Sequence, residues 1–535
     1  MNEETFQTIE RWLRMLPTAL VETRPWLLLV KALTLQYTWQ LGAQVRVLDQ
    51  IDALLDLTGV DPSAGDMPPG SNLQPDSQPD SQSGTSGARL RAFVALMRGQ
   101  HAFYSNQPQR ALELLATVMP RVSEIWTYVR GATMLYTGVC MQAAGQGEAA
   151  DRLLVDCFER YEKKADPFGL RLLMPLCFNY FAQGKLEQVR QTAATMLRLC
   201  ANQSLATMQS WGHYFLGLAH FEWNQPAAAE AHFAAIAERR HVATQIVVRD
   251  ALHQLALVQH QRGKEGEAWR TLEMLSDLEL EQNGREDEAT RGLRARLQFM
   301  RGDVEGASRW ADAFTAPIPN APLIWVANPH LIKARILLEK GYESDLPDAQ
   351  HILEALLAVA EQTYNTRFCI KILALLAVVY ARQGCDSKVQ QVLQRAYDLA
   401  KPGGFVRVFV ELGPTMQVLL TRMAQKDVGV QRLLAAFADV APTAPPAAAS
   451  PEPVPAPGPR AGAQEPLTPR EIQVLALLSE PLSSKELAAK LDVSHATLKR
   501  HLANIYGKLG VTRRWDAVAQ AKALGLLSPD SGGRE

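Results

Sequence analysis

Lys499 and Arg500, with Asn504 and Lys508 one and two turns further on, place long cations and an amide along a stretch that contains no acidic residue between Ser494 and Thr512. Side chains of these types donate hydrogen bonds to phosphate oxygens and to base edges, and the small residues among them, Ala496, Ala503 and Gly507, let a second backbone come close. A merely solvated helix face is richer in Glu and Lys of both signs, so the missing acids are the informative part. From Leu467 to Leu527 there are nine Lys or Arg against five Asp or Glu, a net of +4, whereas the whole chain stands at −1, which leaves −5 for everything else. The positive charge is local, as a phosphate-binding module requires. The chemistry is recognition of duplex nucleic acid in the major groove.

Those residues need a helix held by others, and the helix boundaries are readable. Thr468 is an N-cap with Pro469 at the first helical position and Glu471 closing a capping box, while Leu467 and Ile472 form a hydrophobic staple. Ser483 and Glu486 box a second helix, stapled by Leu482 and Leu487. Asp492 and Val493 make a short turn, Ser494 caps a third helix running to about Leu509, and Thr512 caps a fourth. On the third helix Leu498, Leu502, Ile505 and Leu509 form an apolar stripe, which leaves Arg500 and its neighbours on the far side. Four short helices with a tight turn between the second and third describe a helix-turn-helix module.

The stretch resembles the LuxR-type helix-turn-helix family, on Leu467-Thr468-Pro469-Arg470-Glu471, Lys485-Glu486-Leu487-Ala488, Ser494, Thr497, Lys499, His501, Asn504-Ile505-Tyr506, Lys508-Leu509 and Ala517-Val518. The resemblance implies transcriptional regulation by a DNA-bound dimer. Carried over by position, Lys499, Arg500 and Ala503 face bases, and Lys485, Thr497, Asn504 and Lys508 face the phosphate backbone. Ser494, Arg513 and Arg514 complete the implied DNA-binding set, and the fourth helix, roughly Arg513 to Leu524, supplies the dimer contact. Pro481 stands where a glycine is usual, Leu498 replaces the common valine, and Gly507 removes a basic side chain. Ala503 offers no hydrogen bond to a base, so the operator sequence stays open.

At 535 residues, with 47% hydrophobic and 21% charged residues, the chain has the composition of a soluble protein of several domains or of a solenoid. The amphipathic, acidic start is not that of a secretory signal. The apolar run Trp26 to Leu35 is interrupted by Lys31 and too short to span a bilayer, so no membrane association is expected. Cys140, Cys157, Cys177, Cys200, Cys369 and Cys385 form no CxxC pair and read as buried thiols of a reducing cytosol. The expected location is cytoplasmic, at the nucleoid.

Upstream of the basic module the chain repeats. Helices are expected over 5–16, 25–40 and 44–57 after Gly42, then a low-complexity, unstructured insertion at 61–88 containing QPDSQPDSQS. Thereafter turn residues recur at Asn106, Gly145, Gly184, Asn224, Gly263, Gly302, Gly341 and Gly384, with spacings of 39, 39, 40, 39, 39, 39 and 43. Gly42 joins this series once the insertion is allowed for. Gly and Asn are the residues that tolerate the left-handed conformation ending a helix, and Ala or Val four or five residues on lets the next helix pack closely. The fold class is therefore all-α, a TPR-like α-solenoid of helical hairpins over 1–439, with a concave surface and a right-handed superhelical twist. A linker at 440–466 follows, with nine prolines between Pro442 and Pro466, then the helix-turn-helix domain at 467–527 and a tail at 528–535. The segment Ala396 to Leu420 and the opening Glu10 to Leu35 are similar to the end and start of the helical-repeat domain of MalT-like regulators, which are large LuxR-type activators. Such proteins carry an NTPase with a phosphate-binding loop, whereas GxxxxGK[ST] does not occur here, so nucleotide switching is not carried over.

Other chemistry is thinly signalled. His213 with His220 and His253 with His260 lie seven apart, two turns distant, and no acid or thiol completes a metal set at i+3 or i+4. No GxSxG elbow occurs. No catalytic residue, metal or cofactor is expected. The aromatics Phe178, Tyr180, Phe181, Trp211, Tyr214, Phe215, Phe221 and Trp223 read as packing or as a ligand-lined concave face, and Arg171, Arg190, Arg239, Arg240 and Arg249 as solvated or as partners for an anionic ligand. The expected partners are double-stranded promoter DNA, RNA polymerase, a second copy of the chain on DNA, and a small-molecule inducer or protein on the solenoid. Two rival readings are a repeat scaffold with a vestigial helix-turn-helix and the DNA-binding half of a split NTPase regulator.

Overall fold

Asn106, Gly145, Gly184, Asn224, Gly263, Gly302, Gly341 and Gly384 all adopt positive φ, between 56° and 88°. Each closes the first helix of a pair and starts the second, as the spacing requires. In the computed structural model the described residues are 11–13, 15–37, 40–58, 86–123, 126–162, 167–200, 206–240, 243–320, 326–423, 428–438, 469–478, 490–491, 502, 505, 508 and 520–521. Residues 5–10 of the first expected helix, most of the expected insertion and the proline-rich linker lie outside them. Contacts divide the chain into two units, 1–446 and 447–535.

The first unit opens with α1 (Thr18–Thr23), α2 (Pro25–Tyr37) and α3 (Leu41–Thr58). Eight hairpins follow: α4 (Ser86–Tyr104) with α5 (Pro108–Ala116), α6 (Thr127–Ala143) with α7 (Gly147–Glu162), α8 (Pro167–Ala182) with α9 (Leu186–Cys200), and α10 (Ala206–Glu222) with α11 (Pro226–Glu238). The series continues as α12 (Gln245–Gln261) with α13 (Glu265–Asn283), α14 (Glu288–Met300) with α15 (Val304–Ala313), α16 (Pro329–Lys340) with α17 (Leu346–Gln362), and α18 (Thr366–Arg382) with α19 (Asp386–Ala400). The short α20 (Arg407–Val410), α21 (Gly413–Met423) and α22 (Val428–Ala435) close the unit. Every described element is helical.

Two expectations are corrected. Gly42 is not a turn: it lies in the first turn of α3, which already begins at Leu41. The insertion gives way to α4 at Ser86, three residues earlier than expected, since Ser86-Gly87-Ala88 carry no helix breaker that the following apolar face cannot override. The small residue five positions past the turn is buried in seven hairpins, as Ala111, Ala150, Val189, Ala229, Ala268, Ala307 and Val389. In the seventh hairpin a 3-10 turn at Glu343–Asp345 lengthens the connection, and Ala349 takes that role.

The superhelix curls until late repeats meet early ones. Gln142 donates to the Tyr364 carbonyl at 3.0 Å, Trp223 Nε1 to the Gly403 carbonyl at 2.9 Å, and the Val406 amide to the Glu222 carbonyl at 3.0 Å. Tyr364 is a non-glycine residue at φ 52°, held there between α17 and α18. Gly403 permits the approach, because a Cβ on it would stand 2.1 Å from the Gly184 carbonyl oxygen. Residues 401–411, within the stretch Ala396 to Leu420 singled out as the end of the repeats, thus pack against the C-terminal ends of α8 and α10.

Candidate functional site

In the second unit α23 (Pro469–Leu478) begins at the proline expected at its first position. Its Val474 and Leu475 are fully buried, as are Ile505 and Ala521, and Leu491 nearly so. Leu502 is half-buried beside Ile505, so the two described members of the apolar stripe on the third helix face inward. Lys508, helical and half-buried, is the one expected DNA-binding residue among those described. Lys485, Ser494, Thr497, Lys499, Arg500, Ala503, Asn504, Arg513 and Arg514 lie outside the described residues.

The first unit holds a second candidate, which the sequence did not announce. The position six residues before each turn lines the interior, and it reads Gln100, Val139, Phe178, Leu218, Leu257, Arg296, Arg335 and Val378 in successive hairpins. Two arginines thus occupy, 39 residues apart, a place that takes apolar side chains in five other repeats. Arg367 and Lys371 on α18 and Arg407 on α20 add three more cations. Glu411, at the end of α20, receives most of them: its carboxylate lies 2.7 Å from Arg335 and 3.5 Å from both Arg296 and Arg407. Arg335 also donates to the Glu411 carbonyl and, at 2.7 Å, to Glu339. Burial opposes ionisation of Glu411, but the combined field of Arg335, Lys371, Arg296 and Arg407 outweighs it and holds the carboxyl well below the ordinary range. Burial pulls Arg296 down to about 10, with Arg335 adding to the effect, and lowers Lys371, Arg367 and Arg407 as well.

Several of these groups are incompletely paired. Nε of Arg296, Arg367 and Arg407 and Nδ1 of His253 are buried without a hydrogen-bond partner. Arg367 instead stacks on Phe181 and Phe368, 4.5 and 4.2 Å from the ring centres. Burial raises the Glu222 carboxyl despite Lys371 and Arg367 nearby. A cavity of about 30 Å³ lies among Arg296, Arg335, Lys371, Glu411 and His253, walled by apolar residues such as Phe221 and Leu375. Another, of about 50 Å³, is lined by Val139, Phe178, Phe181 and Arg367. The larger groove of about 210 Å³ between α17, α18 and α19 carries charges that are already satisfied, Arg395 with Glu361 at 2.6 Å and Tyr380 with Glu354 at 2.8 Å.

The arginines read as solvated or as partners for an anionic ligand make contacts within the protein. Arg190 pairs with Glu187, Arg249 with Glu279 and Asp287 at 2.9 and 2.7 Å, and Arg239 with Gln209. Arg240 bonds the Ala237 carbonyl, and the stem of Arg171 packs over Gly131. The aromatic group is mostly packing: Phe181, Trp211, Tyr214, Phe215 and Phe221 are buried, and Phe178 makes edge contacts with Trp211 and Phe215. Tyr214 donates to Asp250, whose other oxygen accepts from the Ala327 amide. His213 meets His232 rather than His220, with Nδ1 atoms 3.0 Å apart, and among the described residues no group of three or more His, Cys, Asp or Glu is arranged to hold a metal. Cys140, Cys177, Cys200 and Cys369 are buried and Cys157 and Cys385 partly so; burial pushes the Cys140 thiol up to about 12. No described helix is long and apolar enough to cross a membrane.

Residues 88–426 match the MalT-like TPR region, and residues 465–521 match the bacterial regulatory proteins of the luxR family. The chain is similar to the HTH-type transcriptional regulator MalT of Klebsiella pneumoniae, 29% identical over 248 aligned residues, with 42% of this chain and 26% of that one covered. It is 30% identical to the protein of the same name from Cronobacter sakazakii over 246 residues, with the same shares covered. The chain thus spans about a quarter of the length of the curated relatives it matches. Among solved structures, the Rap conjugation gene regulator of the plasmid pLS20 in complex with the Phr* peptide is 15% identical, with a TM-score of 0.37 over 70% of this chain and 94% of that one.

Proposed function

This chain belongs to the MalT-like TPR region family, and on that premise we propose that it is a DNA-binding transcription regulator whose solenoid receives a signal and governs promoter binding by the luxR-type segment. One observation carries the reading: a luxR-family stretch at 465–521 follows a MalT-like repeat region at 88–426 in a single chain. The inward-facing Ile505 and the half-buried Leu502 support it, since both belong to the apolar stripe expected on the inner side of the third helix. In this reading Lys499, Arg500 and Ala503 meet base edges, and Lys485, Ser494, Thr497, Asn504, Lys508, Arg513 and Arg514 hold the phosphates. Two copies bind together, the proline-rich linker at 440–466 tethers the module, and RNA polymerase is the next contact.

The double change Lys499→Ala, Arg500→Ala tests it. Removing a side chain that reads a base costs about 1–3 kcal/mol of discrimination, and removing one that holds a phosphate lowers the salt slope by about 1. Gel retardation of native promoter fragments against random duplex, with the repeat domain's circular dichroism unchanged, is the measurement. Equal retention of promoter and random duplex by the unaltered protein sinks the reading. Preserved cellular function in the double variant favours the scaffold instead.

A further inference from the structure

We propose that the cation-lined cavity between α12, α14, α16, α18 and Glu411 binds a small oxyanion, a phosphate or carboxylate group, and that this anion is the chemical class of the signal the solenoid receives. The second half of that statement rests on the regulatory reading above; the first half stands without it.

The charge around the cavity does not balance. Arg296, Arg335 and Lys371 line it with Glu411 as the one lining carboxylate; Glu339 on Arg335 and Glu222 near Lys371 stand just outside the lining, and Arg367 and Arg407 add two further cations to the same group. Arg335 is the satisfied member, held by Glu411 and Glu339. Arg296 reaches Glu411 only at 3.5 Å through one nitrogen, and its Nε has no partner although the residue is only 8% exposed. Lys371 lies at the cavity wall, where the charges of Glu411 and Glu222 only partly offset its burial. Arg407, also 8% exposed, reaches Glu411 through its Nε at 3.5 Å, too long for a good hydrogen bond. An uncompensated buried cation costs several kcal/mol, so a surplus of this kind persists where something else supplies negative charge.

Packing alone does not account for the cations. Val139, Phe178, Leu218, Leu257 and Val378 fill the same repeat position with apolar groups, so the geometry accepts hydrocarbon there. Only the two repeats facing Lys371 and α20 substitute arginine, and arginine presents N–H donors in a fork that matches an oxyanion. A cavity of about 30 Å³ admits one small group and not an extended molecule; the apolar wall at Phe221, Leu257, Leu331, Ile332 and Leu375 lowers the local dielectric and strengthens a charge pairing made there.

The test is calorimetric titration of the full chain, free of DNA, with sodium phosphate and, separately, sodium acetate, against sodium chloride at matched ionic strength. Saturable heat with phosphate or acetate beyond the chloride control is expected, and the stronger of the two tells which group the site takes. Lys371→Met weakens that binding by about tenfold or more, and tenfold corresponds to about 1.4 kcal/mol. Arg296→Met does the same wherever circular dichroism shows it folded, and Lys371→Met, at a half-buried position, carries the test if it does not. A titration indistinguishable from chloride overturns the proposal, as does unchanged affinity in Lys371→Met. Because no DNA is present, a protein that takes up phosphate yet retains no promoter fragment refutes the regulatory reading and leaves the site; promoter retention without anion uptake does the reverse.

Discussion

Where α6, α8, α10 and α12 line the interior of the solenoid, the residue six positions before the turn is Val139, Phe178, Leu218 or Leu257; where α14 and α16 line it, the residue is Arg296 or Arg335. The backbone is alike in both regions, with left-handed turns throughout and small residues five past the turn, except in the α16–α17 hairpin, where the 3-10 turn moves that place to Ala349. The apolar region is finished by its own neighbours, through contacts such as Phe178 with Phe215, ring centres 5.0 Å apart. The charged region depends on a residue from outside the repeats, Glu411, brought in by the segment that folds back onto α10. A repeat scaffold needs only the first kind of interior. The second has Glu411 as the shared partner of three cations, with Glu339 on Arg335 and Glu222 near Lys371 beside it.

Removing that carboxylate is the largest expected effect. In Glu411→Ala, Arg335, Arg296 and Arg407 are deprived of their common partner while staying buried, a situation that costs about 3–5 kcal/mol. Chemical denaturation of the repeat domain measures it. The distinguishing readout is rescue: phosphate restores part of the missing stability in this variant and does nothing for Phe233→Ala, a cavity of similar cost in the apolar interior. A change under about 1 kcal/mol for Glu411→Ala means that the charges are solvated and the comparison between the two regions collapses.

The repeat was legible because a left-handed turn can be occupied by few residue types, so Asn106 to Gly384 show the period without any packing knowledge. Tyr364 was not, since a non-glycine at φ 52° is held by tertiary contacts and leaves no mark in composition. Gly42 misled for the opposite reason: a glycine within helical pattern is compatible with a turn, and nothing local says which occurs. The interior charges were the least visible. Arg296, Arg335, Lys371 and Arg407 come from four helices and converge only when the superhelix has curled, whereas Arg190 and Arg249, conspicuous in sequence, pair with nearby Glu187 and Glu279. The one signal they left was the period itself, an arginine recurring after 39 residues where other repeats carry hydrocarbon.

A smaller effect tests whether the fold-back segment finishes the charged region. Gly403→Ala puts a Cβ 2.1 Å from the Gly184 carbonyl oxygen, a backbone atom that cannot swing aside. The segment must shift, straining the Trp223 and Val406 hydrogen bonds, at about 1–3 kcal/mol. Hydrogen exchange then rises at Val406 and its neighbours and leaves α4 to α7 unchanged. Gly266→Ala, where a Cβ meets nothing within 4 Å, is the control and is neutral or mildly stabilising.

The last effect separates the regions by pH. His253, 3% exposed on α12, lies in the charged interior, and burial together with Arg296 and Lys371 pushes its imidazole down to about 3, against weaker support for the charged form from Asp287 and further opposition from Arg249. The folded state therefore holds His253 neutral between about pH 3 and the ordinary value near 6.5, while the unfolded chain binds a proton there. Its contribution is fully present above pH 6.5 and is lost as the pH falls toward 3, with a slope of up to about 1.4 kcal/mol per pH unit. His253→Gln cannot take up that proton, so its stability declines less steeply than that of the unaltered protein between pH 6.5 and 4. Thermal melts across that range measure the difference in slope. Parallel curves mean that water already reaches His253, and an interior wet at that point has no need of an anion to offset its cations.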